Sequence, residues 1–282
     1  MTRSALAFVL ALTVLHAQQL TLPNQQDSVR LAVIGDSGTG SSEQRVVADR
    51  LATMRGTFPF NIVLMLGDNV YDGNRPNDYA SKFEAPYKTL LDADVKFFAA
   101  LGDHDDPAQV FYKHFNMNGR KYYTFKPAGT NVRFVALDSK RMDKDQLAWL
   151  EKELAGPSDW TIVFLHHPLY SSSSARDSTP LRGQLEPLFV KYGVDVVFSG
   201  HDHFYERLKP QQGIYYFVSG AAARLDRGRI RPTALTEKGF DQGYHFMLVE
   251  VTPKALHFQA ISEQGVIVDA GALPRREPVR PF

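Results

Sequence analysis

Five short apolar runs punctuate the chain, and each gives way to residues capable of chemistry. They cover residues 31–34, 62–66, 95–101, 161–165 and 194–199. Runs this short, without polar alternation, predict strands buried on both faces. Helical patterns lie between them. Ser41 and Ser42 precede a segment in which Val46, Val47, Leu51 and Met54 recur at helical spacing, which predicts a capped helix with those four on its buried face. Leu147, Leu150 and Leu154 form a second stripe that Gly156 and Pro157 close, and a third helix is predicted over 181–191. After Gly213 the pattern changes to short strands at 214–218, 245–251, 255–261 and 266–269, with turns between. βαβ units followed by strand-rich hairpins predict an α/β fold in which two packed mixed β-sheets are flanked by helices. The segment 171–174 reads as a polar loop, the basic segment 224–232 as a mobile loop, and the tail 274–282 as exposed coil.

The first residues follow a different order. Arg3 precedes an apolar run over 5–15, then the small residue Ala17 and the polar pair Gln18 and Gln19. That is the layout of a secretory signal cut near Ala17. Residues 1–17 are therefore expected to be a signal peptide, the protein to be exported, and 28–273 to form its one domain. The run is too short to span a bilayer, which takes roughly 20 residues. No later stretch is longer, so no stable membrane anchor is expected.

Composition removes several function classes. Lys and Arg total 32 against 31 Asp and Glu, a net charge of +1, which offers nucleic acid no general electrostatic footing. There is no cysteine, so disulfide frameworks, thiolate metal sites and cysteine nucleophiles are excluded.

The chemistry follows the five apolar runs. The first leads into Gly35-Asp36-Ser37-Gly38, the second into Gly67-Asp68-Asn69-Val70-Tyr71 and the third into Gly102-Asp103-His104-Asp105. The fourth leads into His166-His167-Pro168 and the fifth into Gly200-His201-Asp202-His203. Ligands of open α/β sheets bind beyond the carboxyl ends of strands. Five consecutive strands are thus expected to deliver carboxylates and imidazoles to one rim. A donor set of this kind without thiolate favours iron, manganese or zinc. Six or seven donors exceed the needs of one ion and suit two ions sharing a carboxylate, the arrangement used in phosphoryl transfer. Singly, each piece has a plainer reading: a Gly-Asp pair is commonly a turn, and Asp36 is placed to cap the helix that follows. Taken together they are not a structural coincidence. His114, His245 and His257 lack such positions and read as structural; His16 falls in the signal segment.

The ordered set GD, GDxxY, GxHD, HxP and GHxH, from Asp36 to His203, resembles the calcineurin-like metallophosphoesterases. Tyr71, three residues after Asp68, and the run from Gly200 to Arg207 resemble the purple acid phosphatase branch, in its small, single-domain, tartrate-resistant-like form. Tyr216-Phe217-Val218-Ser219-Gly220 is similar to a strand of those small members. The resemblance implies a four-layer α/β/β/α sandwich. It implies two metal ions, Fe(III) with a divalent ion (Fe, Zn or Mn). Asp36, Tyr71 and His203 would hold the ferric ion, Asp68 would bridge, and Asp103, His166 and His201 would hold the divalent ion. A metal-bound hydroxide would attack the phosphorus of a small phosphomonoester, His104 would protonate the leaving oxygen or hold the substrate, and Asn69 would donate a hydrogen bond near the bridge.

Two positions depart from the family pattern. The third motif usually reads Gly-Asn-His, whereas Asp103 here adds a negative charge. The small members also carry a further His shortly after the fourth motif, and the loop from Tyr170 to Asp177 has none. Arg176 can bind phosphate through its two-pronged guanidinium or remain a solvated loop charge; His167 is the other substitute. Two alternatives stay open: a phosphodiesterase of the same superfamily, and a non-catalytic metal- or phosphate-binding protein on a retained fold.

Overall fold

A computed structural model describes residues 22–173 and 179–276. The expected signal segment, Arg176 and the end of the tail lie outside the described residues. Among these, the chain first runs through β1 (Val29–Ile34), α1 (Ser42–Arg55), β2 (Ile62–Met65), α2 (Pro76–Tyr79), α3 (Lys88–Asp92), β3 (Lys96–Ala99), β4 (Tyr123–Phe125) and β5 (Val132–Ala136). It continues through α4 (Lys144–Leu154), β6 (Trp160–Leu165), α5 (Thr179–Tyr192), β7 (Val196–Ser199), β8 (Tyr205–Leu208) and β9 (Tyr215–Ser219). Four antiparallel-paired strands complete the sheets: β10 (Thr236–Phe240), β11 (His245–Val251), β12 (Ala255–Ser262) and β13 (Ile267–Pro274). No described helix is long and apolar enough to cross a membrane.

The strands form two mixed sheets, in the orders β13-β12-β11-β1-β2-β3 and β10-β8-β9-β7-β6-β5-β4. Alternate residues of the second sheet serve different cores, as the two-residue period of a strand requires. Phe134, Ile162, Phe164 and Phe198 join the core shared with the first sheet, while Val135, Val163, Leu165 and Val197 pack with Leu150 and Leu154 of α4 and Leu185 and Phe189 of α5. Both faces of these strands are therefore dry, which is why their sequences read as unbroken apolar runs. Two contacts pin the sheets together. The ring of Phe217 meets Phe258 edge-on with centroids 5.0 Å apart, and the Trp160 indole donates to the Thr252 carbonyl at 2.9 Å.

Local signals explain the helices. Ser41 caps α1 by accepting the Gln44 N–H, and Gln44, Val47, Ala48 and Leu51 are buried. Val46, expected on that face, is 49% exposed. It stands about 100° around the helix from Val47, off the edge of the stripe. The strand β5 was not legible as one, because Arg133 interrupts its apolar run. Arg133 is nonetheless buried, with its guanidinium donating to the carbonyls of Glu153 and Pro157. The tail also differs from expectation. β13 continues to Pro274, the Arg275 N–H donates to the Lys254 carbonyl at 3.0 Å, and Arg276 donates to the Val194 carbonyl at 3.1 Å. Ordered pairing thus persists through 276.

Candidate metal centre

Parallel register aligns the strand ends. Ile34 faces Met65 and Met65 faces Ala99, so the loops after β1, β2 and β3 leave one rim together. Leu165 faces Ser199, which does the same for β6 and β7. The five ends are not consecutive strands, however: β4 and β5 intervene, and the rim is shared by two sheets. At this rim the backbone turns left-handed at Asp36 (φ 56°), Asp68 (φ 53°) and His201 (φ 68°). Such conformations cost roughly 1 kcal/mol or more for a residue with a Cβ, and they persist where the surroundings enforce them. Here Asp36 donates its N–H to the Gly67 carbonyl at 3.1 Å, and His201 donates its N–H to Asp36 Oδ2 at 2.9 Å. Gly200 is required by proximity, since a Cβ there would lie 2.6 Å from Asp36 Oδ2. At Gly102 a Cβ would overlap the Asp68 carboxylate.

Two donor groups converge around Asp68. In the first, the Tyr71 hydroxyl and His203 Nε2 each lie 3.4 Å from Asp36 Oδ1. In the second, His166 Nε2 is 2.8 Å from Asp103 Oδ1 and 3.1 Å from His201 Nδ1, and His201 Nδ1 is 3.2 Å from the same Asp103 oxygen. His166 Nε2 is also 3.7 Å from Asp68 Oδ1. Asp36, Asp68 and His166 present donors within 4.8 Å of one another, and so do Asp68, Asp103 and His104. Asp68 therefore belongs to both groups. Carboxylates, imidazoles and a phenol arranged as two clusters about a shared carboxylate fit a pair of ions with nitrogen and oxygen preference.

The electrostatics agree with cation binding. Burial opposes ionisation of Asp36, but the hydrogen bond from His203 and the nearby His166 and His203 charges bring it below the ordinary carboxylate range. Hydrogen bonds from His166 and His201 hold Asp103 far below that range. Asp68 is raised, first by burial and then by the Asp36 and Asp103 charges. Tyr71 is pushed well above its ordinary value by burial, with Asp36 and Asp68 adding to it. A phenolate at this position therefore needs a highly charged cation beside it.

The remaining expected residues are placed as follows. His104 is at the mouth, its ring 47% exposed in the side chain, with its backbone N–H donating to Asp68 Oδ1 at 3.0 Å and Nδ1 3.4 Å from Asp72 Oδ1. His167 lies beside the second group, its ring 4.4 Å from that of His201 and its Nδ1 2.9 Å from Ser139 Oγ. Burial lowers its pKa to about 3. Asn69 was expected to reach toward the bridge, but its geometry is different. It is fully buried, and its amide donates to the Ala100 carbonyl at 2.7 Å and to Asp105 Oδ2 at 2.8 Å. Both protons are spent inside the fold.

Several residues at the site have roles that the motifs do not signal. Asp105 accepts from the N–H groups of Asn69, Val70 and Gly102 and ties the second loop to the third. Asp226 Oδ1 lies 3.5 Å from His203 Nδ1, the ring nitrogen that does not face Asp36. Lys140 donates to the Asp103 carbonyl at 3.0 Å. The Arg224 guanidinium covers the Tyr71 ring at 4.1 Å from its centroid. The basic loop that carries it is not loose. Ala222 N–H donates to the Gly35 carbonyl at 3.1 Å and Asp226 N–H to the His203 carbonyl at 3.0 Å. Of these, only Asp105 lies within a motif, as the last residue of the third; the rest lie on segments that show their purpose once folded.

Comparison with known proteins bears on this geometry. The family model for calcineurin-like phosphoesterases matches residues 29–205. The human tartrate-resistant acid phosphatase type 5 is 25% identical over 317 residues, covering 92% of this chain and 96% of that protein. The purple acid phosphatase 17 of Arabidopsis thaliana is 26% identical over 259 residues, covering 78% of this chain and 76% of its own length. Among solved structures, the purple acid phosphatase PPD1 from yellow lupin superposes with a TM-score of 0.72 at 20% identity, over 90% of this chain and 55% of the lupin chain. GAP50, the anchor in the inner membrane complex of Plasmodium, superposes with a TM-score of 0.76 at 19% identity, over 89% and 90%. These two structural likenesses concern the fold alone.

Proposed function

We propose that this chain, which belongs to the calcineurin-like phosphoesterase family, is a metallophosphoesterase whose reaction is the hydrolysis of phosphomonoesters by a purple-acid-phosphatase-like centre. The observation that carries the reading is the convergence of Asp36, Asp68, Tyr71, Asp103, His166, His201 and His203 at one rim, with half-exposed His104 at its mouth. Asp36, Tyr71 and His203 would hold one ion and Asp103, His166 and His201 the other, with Asp68 shared. Ions held there would supply a hydroxide nucleophile and offset the negative charge of the phosphate oxygens.

The chain's own groups do the rest. The high cost of ionising Tyr71 favours a trivalent ion, proposed to be Fe(III), in the first group, with Fe, Zn or Mn as the divalent partner. His104 faces the mouth, and Asp72 beside Nδ1 orients the ring so that Nε2 meets the leaving oxygen as a proton donor. Asp226 sets the tautomer of His203 in the same way.

Protein purified without chelator and analysed for metals, by visible spectrum and with p-nitrophenyl phosphate against its bis ester, tests the reading. Two ions per chain, an iron–tyrosinate band and faster turnover of the monoester are expected. Faster turnover of the bis ester makes the protein a phosphodiesterase, and a metal-loaded protein inert to both is a binding protein.

A further inference from the structure

The centre gathers three carboxylates and a phenol, and a phosphomonoester brings about two further negative charges near neutral pH. Such a substrate needs positive charge beyond the ions to be held well. In the sequence the candidates for this role are His167 and Arg176, just after His166. The folded chain offers a candidate elsewhere. Arg224 is exposed at the surface above Tyr71, with its guanidinium 4.1 Å from the ring centroid, while the Tyr71 ring beneath it is buried.

Two backbone hydrogen bonds fix its position. Ala222 on one side is tied to the Gly35 carbonyl at 3.1 Å, and Asp226 on the other is tied to the His203 carbonyl at 3.0 Å. Both anchors are one residue from a ligand or are a ligand, so Arg224 is carried by the same backbone frame as Asp36 and His203. The carboxylate nearest in sequence, Asp226, is directed at His203 Nδ1 at 3.5 Å. Among the described residues Arg224 forms no ion pair, so its forked donors are uncommitted. Packing against an aromatic face leaves a guanidinium's N–H edge open for hydrogen bonding.

We propose that Arg224 is a substrate-binding residue, whose guanidinium holds a non-bridging oxygen of a dianionic phosphate seated at the centre and favours monoesters over diesters. This rests on the phosphoester-hydrolase reading. A diester presents one charge fewer to the same fork and gains less from it.

The test is calorimetric titration of the metal-loaded protein with inorganic phosphate, in wild type, Arg224→Ala and Arg224→Lys, with metal content measured in each. Arg224→Ala is expected to weaken phosphate binding about 10- to 100-fold with both ions retained, the range of a lost charge-assisted hydrogen bond. Arg224→Lys should recover part of this, since it keeps the charge and loses the fork. In turnover, KM for p-nitrophenyl phosphate should rise more than KM for the bis ester. Unchanged phosphate affinity in Arg224→Ala overturns the proposal. So does a variant that loses metal while its loaded fraction binds phosphate normally, for Arg224 would then only cover the Tyr71 ring. Loaded wild type that neither binds phosphate nor hydrolyses either ester removes the functional reading itself and the proposal with it.

Discussion

Asp105 holds Asn69 twice: one carboxylate oxygen accepts the Asn69 backbone N–H at 2.8 Å, and the other accepts from its side-chain amide at 2.8 Å. The same carboxylate accepts from Val70 at 3.0 Å and from Gly102 at 2.8 Å. One buried group therefore sets the spacing between the loops that carry Asp68 and Asp103. Burial and the Asp68 charge raise its pKa to about 7.

Asp105→Ala leaves four donors without an acceptor inside the fold. A single unsatisfied buried donor costs about 1–3 kcal/mol, so a loss of several kcal/mol is expected, with weaker retention of both ions. Asp105→Asn keeps an acceptor for some of them and should fall between. Denaturant unfolding and metal analysis after dialysis measure both effects, and wild-type stability in the Ala variant would refute the tie.

His104→Ala is expected to keep both ions and lower kcat by about 10²–10⁴, the range of a lost general acid. Esters with poor leaving groups should suffer most, because they depend on the donated proton. If the variant purifies with one ion missing, His104 is a ligand and this role is wrong.

Tyr71→Phe should abolish the visible charge-transfer band while leaving part of the hydrolysis, since Asp36, Asp68 and His203 remain. The spectrum of the wild type decides first: a colourless, iron-free and fully active enzyme contradicts the assignment of Fe(III) to this tyrosine.

Asp103→Asn removes one negative charge from the centre. Phosphate should then inhibit more strongly, and the acidic limb of the pH–rate profile should move to lower pH, because water on a more positive centre loses its proton more easily. A fully metallated variant with both quantities unchanged would show that the Asp103 charge is not felt there.

His245 governs part of the acid stability. It is fully buried, its Nε2 is 2.9 Å from Ser219 Oγ, and burial lowers its pKa to about 3. In the unfolded chain the pKa is about 6.5. The folded state thus keeps a neutral ring where the unfolded state takes up a proton. This contribution is fully present above pH 6.5 and is lost as the pH falls from there toward 3, up to several kcal/mol. His245→Gln, which has no titrating group, should show a shallower fall of Tm between pH 6 and 4. An unaltered slope would mean that the ring already titrates in the folded protein.

The sequence by itself determined the strands of the two-sided core and the residues at their ends. Val163 and Phe164 sit in different cores yet are both apolar, so a buried parallel strand announces itself without reference to its neighbours. The dipeptides Gly67-Asp68 and Gly200-His201 are equally local: the glycine admits close approach and the next residue turns off the strand. Asp36, Asp68, Asp103 and His201 were legible for that reason, and His166 and His203 because they stand at or just past the end of an apolar run. The tertiary structure alone decided what lies across from them. β5 entered the second sheet despite Arg133, because that guanidinium finds buried carbonyls only in the folded chain. Asn69 turned inward because Asp105, 36 residues away, accepts from it. Arg224 came to lie over Tyr71 from a basic segment that reads as a mobile loop, because Gly35 and His203 supply the carbonyls that anchor its flanks. Periodicity and short motifs encode what neighbouring residues do to one another, whereas hydrogen bonds and charges between distant segments exist only after the sheets have packed.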